Sequence, residues 1–133
     1  MKKRYLFLCF TVWIIIAPVL VSVAQTPPVG QINNAFRAGD VAGITRYMDN
    51  VVDVTMNNNQ STSSRTQAEM LLRDFFSKNE PMNFEAGHNG QNQKTNTFFS
   101  IGHLNTSNGR YRVYILLKQE GQNYLLQEIR IEK

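Results

Sequence analysis

"RYRVYILLK", residues 110–118, alternates apolar Tyr111, Val113, Ile115 and Leu117 with Arg110, Arg112 and Tyr114. That is the two-residue period of a strand with one face on a core. Upstream, "SNGR" (107–110) supplies Asn108-Gly109, a pair suited to the positive dihedrals of a two-residue hairpin turn, and makes Thr97–Thr106 the neighbouring strand. Downstream, "QEGQN" (119–123) fits a three-residue loop of Glu120, Gly121 and Gln122 leading to a strand over Asn123–Glu132. Another strand is expected over Met82–His88.

These turns set the registers. Leu104 faces Val113, Gly102 faces Ile115 and Ser100 faces Leu117; across the next hairpin Tyr111 meets Ile131, Val113 meets Ile129 and Leu117 meets Leu125. One face is therefore apolar and needs cover. The cover is written just upstream, where Ser64-Arg65-Thr66-Gln67 forms a capping box and Ala68, Leu71, Leu72, Phe75 and Phe76 follow at i, i+3, i+4, i+7 and i+8. This main helix should end near Lys78-Asn79, before Pro81, and Gly102 and Ser100 leave room for one of its rings.

Nearer the start, Val29, Ile32 and Phe36 recur at helical spacing until Gly39-Asp40 interrupts them. Asp40 then caps a second short helix carrying Val41, Ile44, Tyr47 and Met48. Val52, Val54 and Met56 alternate with Asp53 and Thr55 as a strand, closed by a polar loop from Asn57 to Ser63. The class is α+β: a mixed or antiparallel sheet of about five strands on one long helix, preceded by two short helices.

The expected registers give the outer face of the sheet a chemistry of its own. His103, Tyr114 and Glu128 share one row and Asn105, Arg112 and Arg130 the next, with Arg110 and Glu132 at the end. The opposite end turns apolar, with Phe99, Ile101, Leu116 and Leu126 beside Lys118 and Tyr124. A freely solvated face has little use for that apolar group, so cover by a second copy of the chain, a small ligand or an envelope protein is expected. The binding or interface set is His103, Arg112, Tyr114, Glu128, Arg130, Asn105, Ile101 and Leu116, with Arg112 and Arg130 suited to forked hydrogen bonds with a carboxylate. A homodimer through this face is the first expectation.

A ketosteroid-isomerase-like reading is the alternative. It takes Glu128 or Asp53 as base and Tyr114 as proton donor in a pocket between helix and sheet. The alternation with Val52 and Val54 sends Asp53 away from the core. His88 and His103 are the only histidines. A symmetric hairpin would set them about 20 Å apart along the strand, too far to share an ion. The chain has no glycine-rich phosphate loop, nucleophile elbow or H-E-x-x-H, so no metal or cofactor is called for.

Lys2, Lys3 and Arg4 precede an apolar stretch from Tyr5 to Val21 and the small-x-small site Ser22-Val23-Ala24. This pattern marks residues 1–24 as a signal peptide, with Gln25 first after cleavage; an uncleaved membrane anchor is the alternative. Cys9, the single cysteine, falls within that stretch, so the exported domain would have neither disulfides nor thiolate ligands. Removing three cations leaves eleven against ten carboxylates, a net of +1. No basic field remains to attract nucleic acid, and no membrane span remains after cleavage. Residues 25–133 make one domain, periplasmic or secreted.

The order helix, helix, strand, long helix and strand meander resembles the nuclear transport factor 2-like fold, which implies a curved sheet wrapped as a cone around the helix. More narrowly, "QAEMLLRDFFSKNEPMNFEAGHNG" (67–90), "FFSIGHLNT" (98–106) and "YRVYILLKQEGQNYLLQEIRIEK" (111–133) resemble the exported bacterial family called domain of unknown function 4783. That resemblance implies an extracytoplasmic place in bacteria of the Bacteroidota type. It implies no catalytic residue, and the fold serves enzymes and binding domains alike.

Overall fold

Ile32, Ala35 and Phe36 bury one side of α1, which runs Val29–Ala38 in a computed structural model that describes residues 25–133. The expected leader, 1–24, lies outside those residues. Gly39 takes φ 65° and ends the helix, while the Asp40 amide donates back to Ala35 O at 2.8 Å. Asp40 Oδ1 then accepts from Gly43 N at 3.0 Å and opens α2, Val41–Thr45. This helix is shorter than the apolar spacing suggested, because Met48 already belongs to β1, Met48–Met56.

The polar segment expected as a loop after β1 is an edge strand. Asn57 and Asn58 both adopt left-handed dihedrals, φ 48° and 69°, and turn the chain into β2, Asn59–Ser64. Asparagine tolerates that region, and two such residues in sequence make a tight hairpin. Only Ser63 of β2 is buried, so the strand has no apolar alternation to announce it.

The capping box then starts α3, Arg65–Lys78: Ser64 Oγ accepts from Gln67 N at 3.2 Å and Gln67 Oε1 accepts from Ser64 N at 3.0 Å. After it come β3 (Pro81–Asn92), β4 (Thr97–Thr106), β5 (Gly109–Glu120) and β6 (Asn123–Glu132). The sheet has six strands in the order β2-β1-β6-β5-β4-β3. The β1–β6 pair is parallel and the others antiparallel.

The expected β4–β5 register is corrected by two residues, and the β5–β6 register by two up to a bulge and by one beyond it. In β4–β5, Thr106 pairs with Gly109, so Leu104 faces Tyr111, Gly102 faces Val113 and Ser100 faces Ile115. The turn is Ser107-Asn108, held by Thr106 Oγ1, which accepts from Asn108 N at 3.1 Å and donates to Gly109 O at 2.8 Å. In β5–β6, Val113 faces Ile131 and Ile115 faces Ile129 up to a bulge at Leu116/Leu117. Beyond the bulge Leu117 faces Leu126, and the turn shortens to Gly121-Gln122. The extra residue, Gln127, reverses the parity of β6, so Leu126 is fully buried instead of lying on the outer face.

The inner face closes on α3 through Ala68, Leu72 and Phe75, all buried, whereas Leu71 is 37% exposed and does not join the expected stripe. Phe75 meets Tyr111 edge to face at 5.1 Å. The Tyr111 hydroxyl donates to Asn79 Oδ1 at 3.0 Å, and Asn79 Nδ2 donates to Phe75 O at 2.9 Å. The ring that fills the space at Gly102 is Phe84 of β3, not a ring of α3.

Candidate functional site

The corrected registers redraw the outer face. Tyr114 lies between Ile101 of β4 and Arg130 of β6, while Glu128 lies opposite Leu116 and beside Asp53 of β1. His103 pairs with Arg112 and Glu85, one row from Tyr114, and Arg112 pairs with Glu132. The expected row of His103, Tyr114 and Glu128 is therefore not formed. Asn105 lies farther off, donating to Glu85 Oε1 at 3.0 Å, while Arg110 pairs with the other oxygen of the same carboxylate at 2.8 Å.

A row of rings takes the place of the expected one. His88 lies 6.0 Å from Phe99, Phe99 lies 6.2 Å from Tyr114 at 21° between planes, and the Arg130 guanidinium stands 5.4 Å from the Tyr114 centroid. Glu128 ion-pairs with Arg130 and so fixes the guanidinium beside the phenol. Half-buried Ile101 and Leu116 flank the row.

His88 and Phe99 were not read as partners of Tyr114. The sequence signal was Gly90 in a strand pattern: the Phe99 ring lies over it, where any Cβ would collide. β3 also runs past its expected end at His88 to Asn92, which is the residue that pairs with Thr97, and with a one-residue slip between Ala86 and Asn89 this sets His88 near Ile101. His88 thus lies nearer His103 than a symmetric hairpin would put it. Among the described residues no three His, Cys, Asp or Glu side chains group as a metal site requires.

Burial raises the Tyr114 phenol above its ordinary pKa; Glu128 adds to this and Arg130 offsets part of it. The upward shift makes this phenol a weaker acid and so a poorer proton donor. Asp53, on the outer side as its alternation requires, accepts from Thr62 Oγ1 at 2.6 Å. The space between α3 and the sheet holds Leu72, Phe75, Tyr111 and Ile115, so Glu128, Tyr114 and Asp53 do not surround an inner cavity.

Clefts open elsewhere on the surface. One of about 320 Å³ lies between α1 and α2, and one of about 500 Å³ lies where α3 meets the edge strand β2. A third, of about 400 Å³, lies where the α2–β1 link meets the start of β6.

Among solved structures, the chain is similar to a DUF4783 family protein from Bacteroides ovatus: 29% identity, TM-score 0.76, covering 83% of this chain and 96% of that one. It is also similar to a DUF4783 family protein from Bacteroides fragilis, at 31% identity and TM-score 0.73 over 82% and 99% of the two chains. An NTF2-like protein of unknown function from Cytophaga hutchinsonii shares the fold at 8% identity and TM-score 0.55, over 77% and 83%. The six-stranded sheet curved around α3 is thus the nuclear transport factor 2-like fold. No curated protein matches the sequence. The profile of the family Domain of unknown function (DUF4783) matches residues 29–132, from the first turn of α1 to the end of β6, and the chain belongs to that family.

Proposed function

We propose that this protein is an exported, non-catalytic binding domain that pairs with a second copy of itself through the outer face of its sheet. The observation that carries the reading is the His88–Phe99–Tyr114–Arg130 row, flanked by half-buried Ile101 and Leu116 on the face opposite the core. Aromatic and arginine side chains around an apolar centre are the usual composition of an interface core. Both charge signs lie on the same face: Arg112 and Arg130 are cationic, Glu128 and Glu132 anionic. A twofold copy can therefore match the face with itself.

Sedimentation velocity across a dilution series tests the pairing. The wild-type chain should shift from dimer to monomer on dilution. Tyr114→Ala combined with Leu116→Asp should leave it monomeric throughout with unchanged circular dichroism, because both side chains are only half-buried. Arg112→Ala with Arg130→Ala should weaken the dimer in the same direction. A wild-type monomer at the highest attainable concentration would sink the proposal.

Export is the second half of the proposal, supported by the basic start, the apolar stretch and Ser22-Val23-Ala24. Intact mass of the protein recovered from periplasm or medium should begin at Gln25. Recovery from the membrane fraction with residues 1–24 attached would favour the anchor instead.

A further inference from the structure

The link from α2 to β1 rests against the start of β6. Leu126 N donates to Tyr47 O at 2.6 Å and Met48 pairs with Leu126, after which β1 bows away from β6 until Asp53 meets Glu128. The third cleft, of about 400 Å³, opens beside this junction and is walled chiefly by Pro28, Arg46, Tyr47, Asn123, Tyr124 and Leu125. That volume is within the range of small-molecule sites.

Gln25 and Thr26 complete the wall, and among the described residues Arg46 is its only formally charged side chain. It is also a cation without an ion pair: the four ion pairs among the described residues use Arg73, Lys78, Arg110 and Arg130. Its guanidinium carries donors only, so in a cleft without a carboxylate its complement is an anionic oxygen pair. Arg46 and Tyr47 also line the α1–α2 cleft, but that cleft contains Asp40, which disfavours an anion there. The remaining wall is amphipathic. Tyr47 and Tyr124 are partly buried against the core and so are fixed in place, and Pro28 and Leu125 add apolar surface.

We propose that this cleft binds a small carboxylate with an apolar body, Arg46 forking the carboxylate while Tyr47, Tyr124 and Leu125 take the acyl or aryl portion. The site is not on the row of rings around Tyr114 and requires neither dimerisation nor export. Its Arg46 is a different cation from Arg112 and Arg130, so the two proposals are separable by mutation.

Among the described residues the buried core runs from Ile32 to Ile131, and the family profile spans residues 29–132, so the chain from Gln25 onward carries the family's domain. The experiment titrates that chain, acetylated at Gln25 so that its first residue, which also lines the cleft, adds no charge, isotope-labelled and in low-salt buffer, with hexanoate and with hexanamide, its uncharged isostere, and follows backbone amide shifts. Hexanoate should move Tyr47, Asn123 and Leu125 saturably and bind about tenfold tighter than hexanamide, the scale of one charge-assisted hydrogen bond. Arg46→Gln should abolish that preference, and Arg112→Ala with Arg130→Ala should preserve it. Equal affinity for the two probes, shifts centred on Tyr114 and Arg130, or no saturable shift up to the solubility limit each overturn the proposal.

Discussion

Phe36→Ala should lower the unfolding free energy by about 3–5 kcal/mol, a large part of the stability of an ordinary domain. Phe36 is fully buried, with the Phe84 ring stacked at 5.9 Å and the Phe76 ring tilted at 6.2 Å. Three elements, α1, α3 and β3, meet at this ring. The cavity left by its removal cannot close by moving one side chain, since each neighbour is anchored in a separate element. Urea denaturation reads the loss as a lower midpoint with an unchanged slope. Leu71→Ala is the matched control. Its side chain belongs to the helical stripe in the sequence but is 37% exposed in the fold, and it should cost about 0.5 kcal/mol or less. Equal losses at the two positions would mean that the Phe36 site collapses on truncation.

Leu71 also marks where sequence reading ends. The capping box that opens α3 and the α1 stop at Gly39 were legible because each is decided by local chemistry, a side chain meeting a free amide or a glycine taking a positive φ, and the end of α3 was legible from Pro81 just beyond it. The inward residues of β5 were legible for a similar reason, since alternation needs no knowledge of the partner strand. Register was not. A slip of two residues keeps every apolar side chain on the same face, so hydrophobic pattern alone cannot distinguish Leu104 facing Val113 from Leu104 facing Tyr111. The distinction lay in the Thr106 hydroxyl, which ties the turn at Ser107-Asn108 and leaves Gly109 alone with the positive φ of 115°.

The candidate site inherited that error. Tyr114, Arg130 and Glu128 were found on the right face and in each other's reach, but His103 was placed beside Tyr114 when Phe99 and Ile101 are there. Strand β2 was missed for a different reason. An edge strand made of Asn, Gln, Ser and Thr buries almost nothing, and its polarity protects the edge from foreign strands while hiding it from a periodicity search. Arg46 gave no sequence signal, because its place in the wall of a cleft without a carboxylate is a property of the folded surface.

Gly102→Val should destabilise the fold by about 1–3 kcal/mol, against the expectation from strand propensity. Valine is favoured over glycine in strands, on a scale of about 1 kcal/mol, so a reading of β4 as an ordinary half-buried strand predicts a gain. The geometry reverses the sign. A Cβ at Gly102 would lie 2.5 Å from Phe84 Cε1 and 2.9 Å from Glu85 O. The ring cannot retreat, because Phe36 stacks on it and Arg37 Nη2 donates to Phe84 O at 3.0 Å, fixing β3 against α1. Overpacking therefore exceeds the propensity gain. A double-mutant cycle with Phe84→Leu isolates the cause: the smaller side chain should recover part of the Gly102→Val loss, with a coupling of about 0.5–3 kcal/mol. Strict additivity would instead place the cost in the β4 backbone and remove Phe84 as the reason this strand carries a glycine.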